Sequence, residues 1–242
     1  MTAPVGRTGR PPLTEARRDE IRREIARAAV DLFVTHGVTA TTGEQIGRAV
    51  GLSARTVWRY FPSKESCVTP LFSEGIATIT GLLREWPPGQ PLDRALDEWL
   101  TAGRDLAGGP DEATVRALVR LTRTEPGLRA VWLQTYDEAE PAFARALAER
   151  SGLPSDDLRV TIRAAMFNAA LRSAVEHYAW RDAAPQAEHG EQTEHGGRTE
   201  QAGHAEQAEQ AEHTAHNEQA TAERELEATL RQALAAAAEG VR

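Results

Sequence analysis

Thr42-Gly-Glu-Gln-Ile-Gly-Arg-Ala-Val-Gly-Leu-Ser-Ala-Arg-Thr-Val-Trp-Arg-Tyr-Phe-Pro-Ser-Lys-Glu65 contains two short helices and the turn that joins them. Thr42 followed three residues later by Gln45 is a capping box: the threonine oxygen accepts from the amide of residue 45 while the glutamine reaches back. The helix it opens carries Ile46 and Ala49, and Gly51-Leu52-Ser53 breaks it. Ser53 caps the second helix, Ala54 to Tyr60, and Phe61-Pro62 ends it because a residue before proline is pushed out of helical geometry. Two helices around so tight a turn form a helix-turn-helix, which sets its second helix into the DNA major groove while the first crosses the backbone.

Upstream, a helix beginning near Thr14 carries Ile21, Ile25, Ala28, Ala29, Leu32 and Phe33 on one face and stops at His36-Gly37, with Gly37 suited to the left-handed position after a helix end. Downstream, Ser63 caps a long helix running to about Trp86. Further helices are expected at about 92–107, 111–124 and 127–150, with Pro141 as a kink, then from Ser155 to about Trp180 and over about 222–238. Alternating β-branched runs are missing throughout, so the fold class is all-α.

The formal charge of −8 argues at first against nucleic acid. Its distribution reverses the argument: residues 1–66 hold eleven basic and seven acidic side chains, a local charge of +4, and the remainder carries −12. Residues 183–222 contain ten Ala, eight Glu, six Gln and five His and no large apolar residue, and this segment alone accounts for −7. Its Glu-Gln pairs recur every nine residues, and so do His195, His204 and His213. Such a stretch has too little apolar surface to offset the entropy of ordering, so it reads as a disordered insert. Nine residues of helix turn about 900°, which puts successive histidines on opposite faces. Only His213 and His216 have local spacing for a shared metal ion, and no metal site or cofactor is assigned.

The single cysteine, Cys67, excludes an internal disulfide, and Arg outnumbers Lys 27 to 1, a bias that fits a bacterial GC-rich genome. No signal peptide is read at the start, and no stretch reaches the roughly 18 apolar residues of a membrane span, so a cytoplasmic location without membrane association is expected. No phosphate loop, His-Glu-x-x-His pair or nucleophile elbow is present, and a non-enzymatic function is expected.

Ile21 to Phe33, Gly37, Thr41-Thr42, Gln45-Ile46-Gly47, Gly51-Leu52-Ser53, Thr56 and Tyr60-Phe-Pro-Ser-Lys-Glu65 together resemble the N-terminal domain of TetR-family transcriptional regulators. The resemblance covers residues 14–66 densely. It implies a homodimeric, all-helical regulator, with a three-helix head that reads a pseudo-palindromic double-stranded operator and a C-terminal domain that binds a small molecule. The resemblance also implies that binding of that molecule changes the separation of the two heads. Ser53, Arg55, Thr56, Trp58 and Arg59 match the turn and recognition helix, Tyr60 and Lys64 match the phosphate-contacting end, and Thr42, at the start of the first helix of the motif, is a further DNA-binding candidate. Trp58 stands where the family commonly has Tyr or Phe.

The chemistry of the residues agrees with these roles. Arg55 and Arg59, four apart, share a face and suit guanine O6 and N7, while Thr56 offers a hydroxyl and a methyl. Lys64 adds charge beside free helix amides that favour a phosphate. Arg7 and Arg10 lie either in the minor groove or in a solvated tail.

The resulting division is a basic arm over 1–13, a DNA-binding head over 14–66, a helical ligand-binding and dimerisation body over 67–182, the low-complexity linker over 183–222 and a C-terminal dimerisation helix over 223–242. Trp99, Trp132, Tyr136, Met166 and Phe167 are candidates for an apolar ligand pocket, with Arg120, Asn168 and His177 as nearby polar groups. Ile162, Met166, Leu226, Leu230 and Leu234 are candidates for the dimer interface. The leading expectation is a repressor released by its ligand. The alternatives are a constitutive or activator-type DNA binder without an inducer, and a metal-responsive regulator acting through the histidine-rich insert.

Overall fold

The computed structural model describes residues 14–87, 89–91, 94, 95, 98, 112–181, 221, 224–226 and 228–233. The expected 92–107 helix, the linker and the basic arm fall wholly or mostly outside these, as do Trp99 and Leu234. Among the described residues every regular element is helical. The chain divides after Pro70 into two compact units.

The first unit is built on α1 (Glu15–His36), where the Thr14 hydroxyl accepts from the Arg17 amide. Its buried face is Ile21, Ile25, Ala26, Ala29, Val30 and Phe33, while Ala28 and Leu32 are half-buried, so the face is turned slightly from the expected one. Gly37, at φ 81°, ends the helix in a region where a Cβ would be strained. α2 (Gly43–Ala49) opens with the full capping box: Gln45 N–H donates to Thr42 Oγ1 at 3.3 Å and Thr42 N–H to Gln45 Oε1 at 2.7 Å. α3 (Ala54–Tyr60) is capped by Ser53 Oγ, which accepts from the Thr56 amide at 3.2 Å. Close packing of the two helices relies on Gly47, where an added Cβ would lie 2.6 Å from the Leu52 carbonyl oxygen. Val57 points into the core with no exposed surface.

The expected single helix from Ser63 to Trp86 is split. A 3-10 turn (Glu65–Val68) comes first, stapled by Ser63 and Ser66, each hydroxyl accepting from the other's amide, and α4 (Thr69–Glu85) follows. Pro70 supplies the reason: it has no N–H to donate back to residue 66, so the α ladder restarts with Pro70 in its first turn. Residues 65–85 do reach the length and mean hydropathy, 1.2, of a membrane span, contrary to the expectation from sequence. Their apolar side chains, among them Leu71, Phe72, Ile76, Ile79, Leu82 and Leu83, are buried within the fold, as in the core helix of a packed domain.

In the second unit α4 is followed by α5 (Glu112–Leu121), α6 (Pro126–Ser151) and α7 (Leu158–Trp180). α6 opens with a proline, continues through Pro141 and ends on left-handed Gly152 at φ 67°. α7 begins three residues later than expected, because a turn returns the Asp157 amide to the Pro154 carbonyl and Asp157 becomes the cap. Arg159 donates to both Asp157 carboxylate oxygens, which holds that carboxyl at a pKa of about 2. α6 and α7 lie side by side, with Phe143 and Phe167 edge to face at 5.2 Å. Residues 224–226 and 228–233 are helical, and Leu226 and Leu230 are buried.

Candidate functional site

α3 exposes Arg55, Trp58 and Arg59 and half-exposes Thr56 and Tyr60, so the residues assigned to groove reading share the free side of the motif. Neither Arg55 nor Arg59 has a carboxylate partner among the described residues, and the Arg59 guanidinium sits 5.6 Å from the Tyr60 ring centroid. Thr42 and Ser53 are occupied as helix caps, and Ser53 Oγ also lies 2.9 Å from Thr56 Oγ1.

Trp58 is 42 % exposed. Its other side lies on Gly43 in the first turn of α2, where an ideal Cβ would come within 2.0 Å of the indole. The indole is thus both a packing element that fixes α3 against α2 and a surface available to a partner.

Lys64, assigned from sequence to phosphate contact, is already engaged by the backbone of the head. Its ammonium donates to the carbonyl of Val38, to that of Thr39 at 3.3 Å and to that of Thr41 at 3.1 Å. An ammonium has three N–H donors, and all three are satisfied by the corner between α1 and α2. The ammonium therefore ties down the backbone that leads into the Thr42 cap.

The second unit contains a cavity of about 70 Å³. α4 contributes Leu71, Phe72, Gly75, Ile76 and Ile79 to its wall, and α5 contributes Val115, Arg116 and Val119. α6 adds Trp132 and Tyr136, and α7 adds Leu171, Val175, Tyr178 and Ala179. Of the five pocket candidates, Trp132 and Tyr136 are on this wall, whereas half-buried Met166 and buried Phe167 lie elsewhere on α7 and Trp99 is not described. Leu226 and Leu230, assigned from sequence to the dimer interface, line the same cavity inside one subunit. Ile162, by contrast, is 49 % exposed.

Trp132 is held in the wall by three contacts. Its ring meets Phe72 and Tyr136 edge to face at 4.7 and 4.6 Å, and its N–H donates to Glu176 Oε1 at 2.7 Å. Glu176 also accepts from Arg129 and, at 3.2 Å, from Arg172. Burial pushes its carboxyl pKa up, but the hydrogen bonds from Arg129, Trp132 and Arg172 outweigh that and hold it below the ordinary value. Burial and the nearby Glu176 charge raise the Tyr136 phenol far above its usual range, so it is neutral.

The polar candidates read from sequence have other work. Arg120 donates to the Ala179 and Arg181 carbonyls at 2.7 and 2.8 Å, satisfying the C-terminal end of α7. The Asn168 amide donates to the Tyr136 carbonyl at 3.0 Å, and His177 is exposed. Sequence reading missed Glu176 and Arg116. A glutamate in the last turn of a helix and an arginine in an amphipathic one look like solvated faces until the neighbouring helices are in place. Buried Cys67, its thiol pushed up to about 12 by burial, gives no nucleophile.

Comparison with known proteins bears on both units. The family model for the tetR family of bacterial regulatory proteins matches residues 25–69, and that for the MftR C-terminal domain matches residues 92–191. The transcriptional regulator TcmR of Streptomyces glaucescens is 34 % identical over 169 residues, covering 67 % of this chain and 74 % of that protein. The mycofactocin biosynthesis regulator MftR of Mycobacterium tuberculosis is 31 % identical over 166 residues, covering 67 % of this chain and 81 % of that protein. A crystal structure of a TetR-family regulator from Mesorhizobium loti superposes with a TM-score of 0.45 at 20 % identity, covering 93 % of this chain and 98 % of that one. Taken with the capped helix-turn-helix, the family models and the two sequence relatives make the chain a member of the TetR family of bacterial DNA-binding transcriptional regulators.

Proposed function

We propose that the protein is a homodimeric repressor that two heads hold on a pseudo-palindromic operator and that a small molecule in the second unit releases. The observation that carries the reading is the pairing of two features in one chain: a recognition helix whose arginines are free for bases, and a carbon-lined cavity in a separate unit. In this reading α3 enters the major groove with Arg55, Thr56 and Arg59 toward base edges, Trp58 beside them, and Tyr60 near the backbone. The head spans 14–66, and the protein acts in the cytoplasm without catalytic chemistry.

The dimer forms through α7. Leu158 and Ile162 are exposed apolar residues one turn apart, and Ala169 and Ser173 continue that side with small exposed residues that allow close approach of a second copy. The ligand stabilises a subunit arrangement whose head spacing no longer matches two successive grooves.

Footprinting on the DNA upstream of its own gene, followed by displacement with candidate ligands, tests the proposal. We expect a protected two-fold site about two half-sites one helical turn apart, lost on ligand addition. Protection that no cavity-binding molecule weakens would instead indicate a constitutive regulator.

A further inference from the structure

We infer that the cavity takes an apolar, ring-containing molecule bearing an anionic oxygen group, and that Arg116 grips that group. The inference deepens the proposed ligand reading and rests on it for its biological meaning, but the binding chemistry stands on the cavity itself.

The described wall is almost entirely carbon, with Phe72, Trp132, Tyr136 and Tyr178 presenting rings. Within it Arg116 is the one side chain charged at neutral pH, since Tyr136 is neutral. Four other arginines around α5, α6 and α7 are already engaged. Arg129 and Arg172 pair with Glu176, Arg120 serves the end of α7, and Arg123 lies over Trp180. Glu176, a buried carboxylate beside Trp132, is already engaged through Oε1 by its two arginines and the Trp132 N–H.

Arg116 has no such partner among the described residues. Its Nε is buried with nothing to donate to, and its guanidinium rests over the Tyr178 ring at 4.7 Å from the centroid. An unpaired cation at an apolar cavity is unfavourable until an acceptor arrives, and an anion is unfavourable there unless a donor awaits it. The stacked guanidinium removes both costs at once, offering a planar fork to a carboxylate or phenolate, and its placement over Tyr178 fixes the fork in advance. The same charge repels cationic ligands.

The test uses the full chain and two probes of one shape, 2-naphthoate and its neutral amide, with binding read by calorimetry. Wild type is expected to prefer the acid at least tenfold. Arg116→Met should abolish the preference while still binding the amide, which shows that the variant keeps its cavity, and Arg116→Lys should restore part of it. Equal affinity for both probes, a preference that survives in Arg116→Met, or no binding of either would overturn the inference. Operator release is measured separately on the footprinted site: naphthoate that binds through Arg116 without releasing DNA would refute the release mechanism and leave the ligand chemistry intact.

Discussion

Lys64 is a half-exposed charged residue whose ammonium is engaged by the head's own backbone. Three carbonyls of the α1–α2 corner hold its ammonium, so Lys64→Gln should lower the stability of the head by about 2 kcal/mol, the scale of hydrogen bonds to a charged group. Thermal unfolding would register that loss. Operator affinity measured against salt should keep its slope, whereas loss of a true phosphate contact reduces the slope by about 1; a reduced slope would return Lys64 to the DNA. Gly43→Ala is informative in a different way. It gains about 1 kcal/mol of helix propensity, yet must drive the Trp58 indole from its seat, at a cost of about 1–3 kcal/mol. A lower melting temperature is expected, and a higher one would show that the indole does not need Gly43. Thr42, Gln45 and Ser53 were legible in the sequence because each cap bonds to an amide three residues away. Lys64 was not, because its acceptors lie 23 to 26 positions upstream and come within reach only when the head folds.

At the scale of elements, what covers an apolar stripe is harder to read than the stripe itself. Leu226 and Leu230 were correctly placed on one side of a helix, but periodicity cannot distinguish a partner subunit from the subunit's own cavity. The break before α4 was hidden for a similar reason: Ser63 caps a turn as well in a 3-10 geometry as in an α one, and Pro70 decides between them. Glu176 joins α6 to α7, and its linkage to pH has a definite sign. Its folded-state pKa is depressed, so its contribution is complete above the ordinary value of 4.5 and disappears as the pH falls through the lower folded value. Glu176→Gln, which leaves two partly buried arginines without their anion, should cost about 2 kcal/mol at neutral pH, the scale of hydrogen bonds to a charged group. Urea unfolding should show the gap between variant and wild type narrowing in acid; a gap independent of pH would mean the carboxylate charge is not what matters.

For the whole molecule, charge is divided by function. The arm and head together, residues 1–66, carry +4 within a chain of −8, and the eight glutamates of residues 183–222 supply much of the acidity. Exchanging those eight for glutamine brings the chain to formal neutrality without altering a described residue. Binding to non-operator DNA at low salt should then strengthen several-fold, because a like-charged body no longer disfavours the polyanion, while operator contacts stay the same. Fluorescence anisotropy with a scrambled duplex would measure it, and unchanged affinity would show that the acidic segment does not act on DNA at a distance.

The cavity wall draws on side chains from Leu71 to Leu230, whereas the capped motif of the head closes with contacts among residues 38 to 64. Because chains emerge from the ribosome N-terminus first and local contacts form before distant ones, the DNA-reading motif can fold while the sensor is still unfinished. Leu226 and Leu230, made after every other described part of the wall, complete the chamber, so responsiveness to a ligand is acquired only after the DNA-reading motif can form.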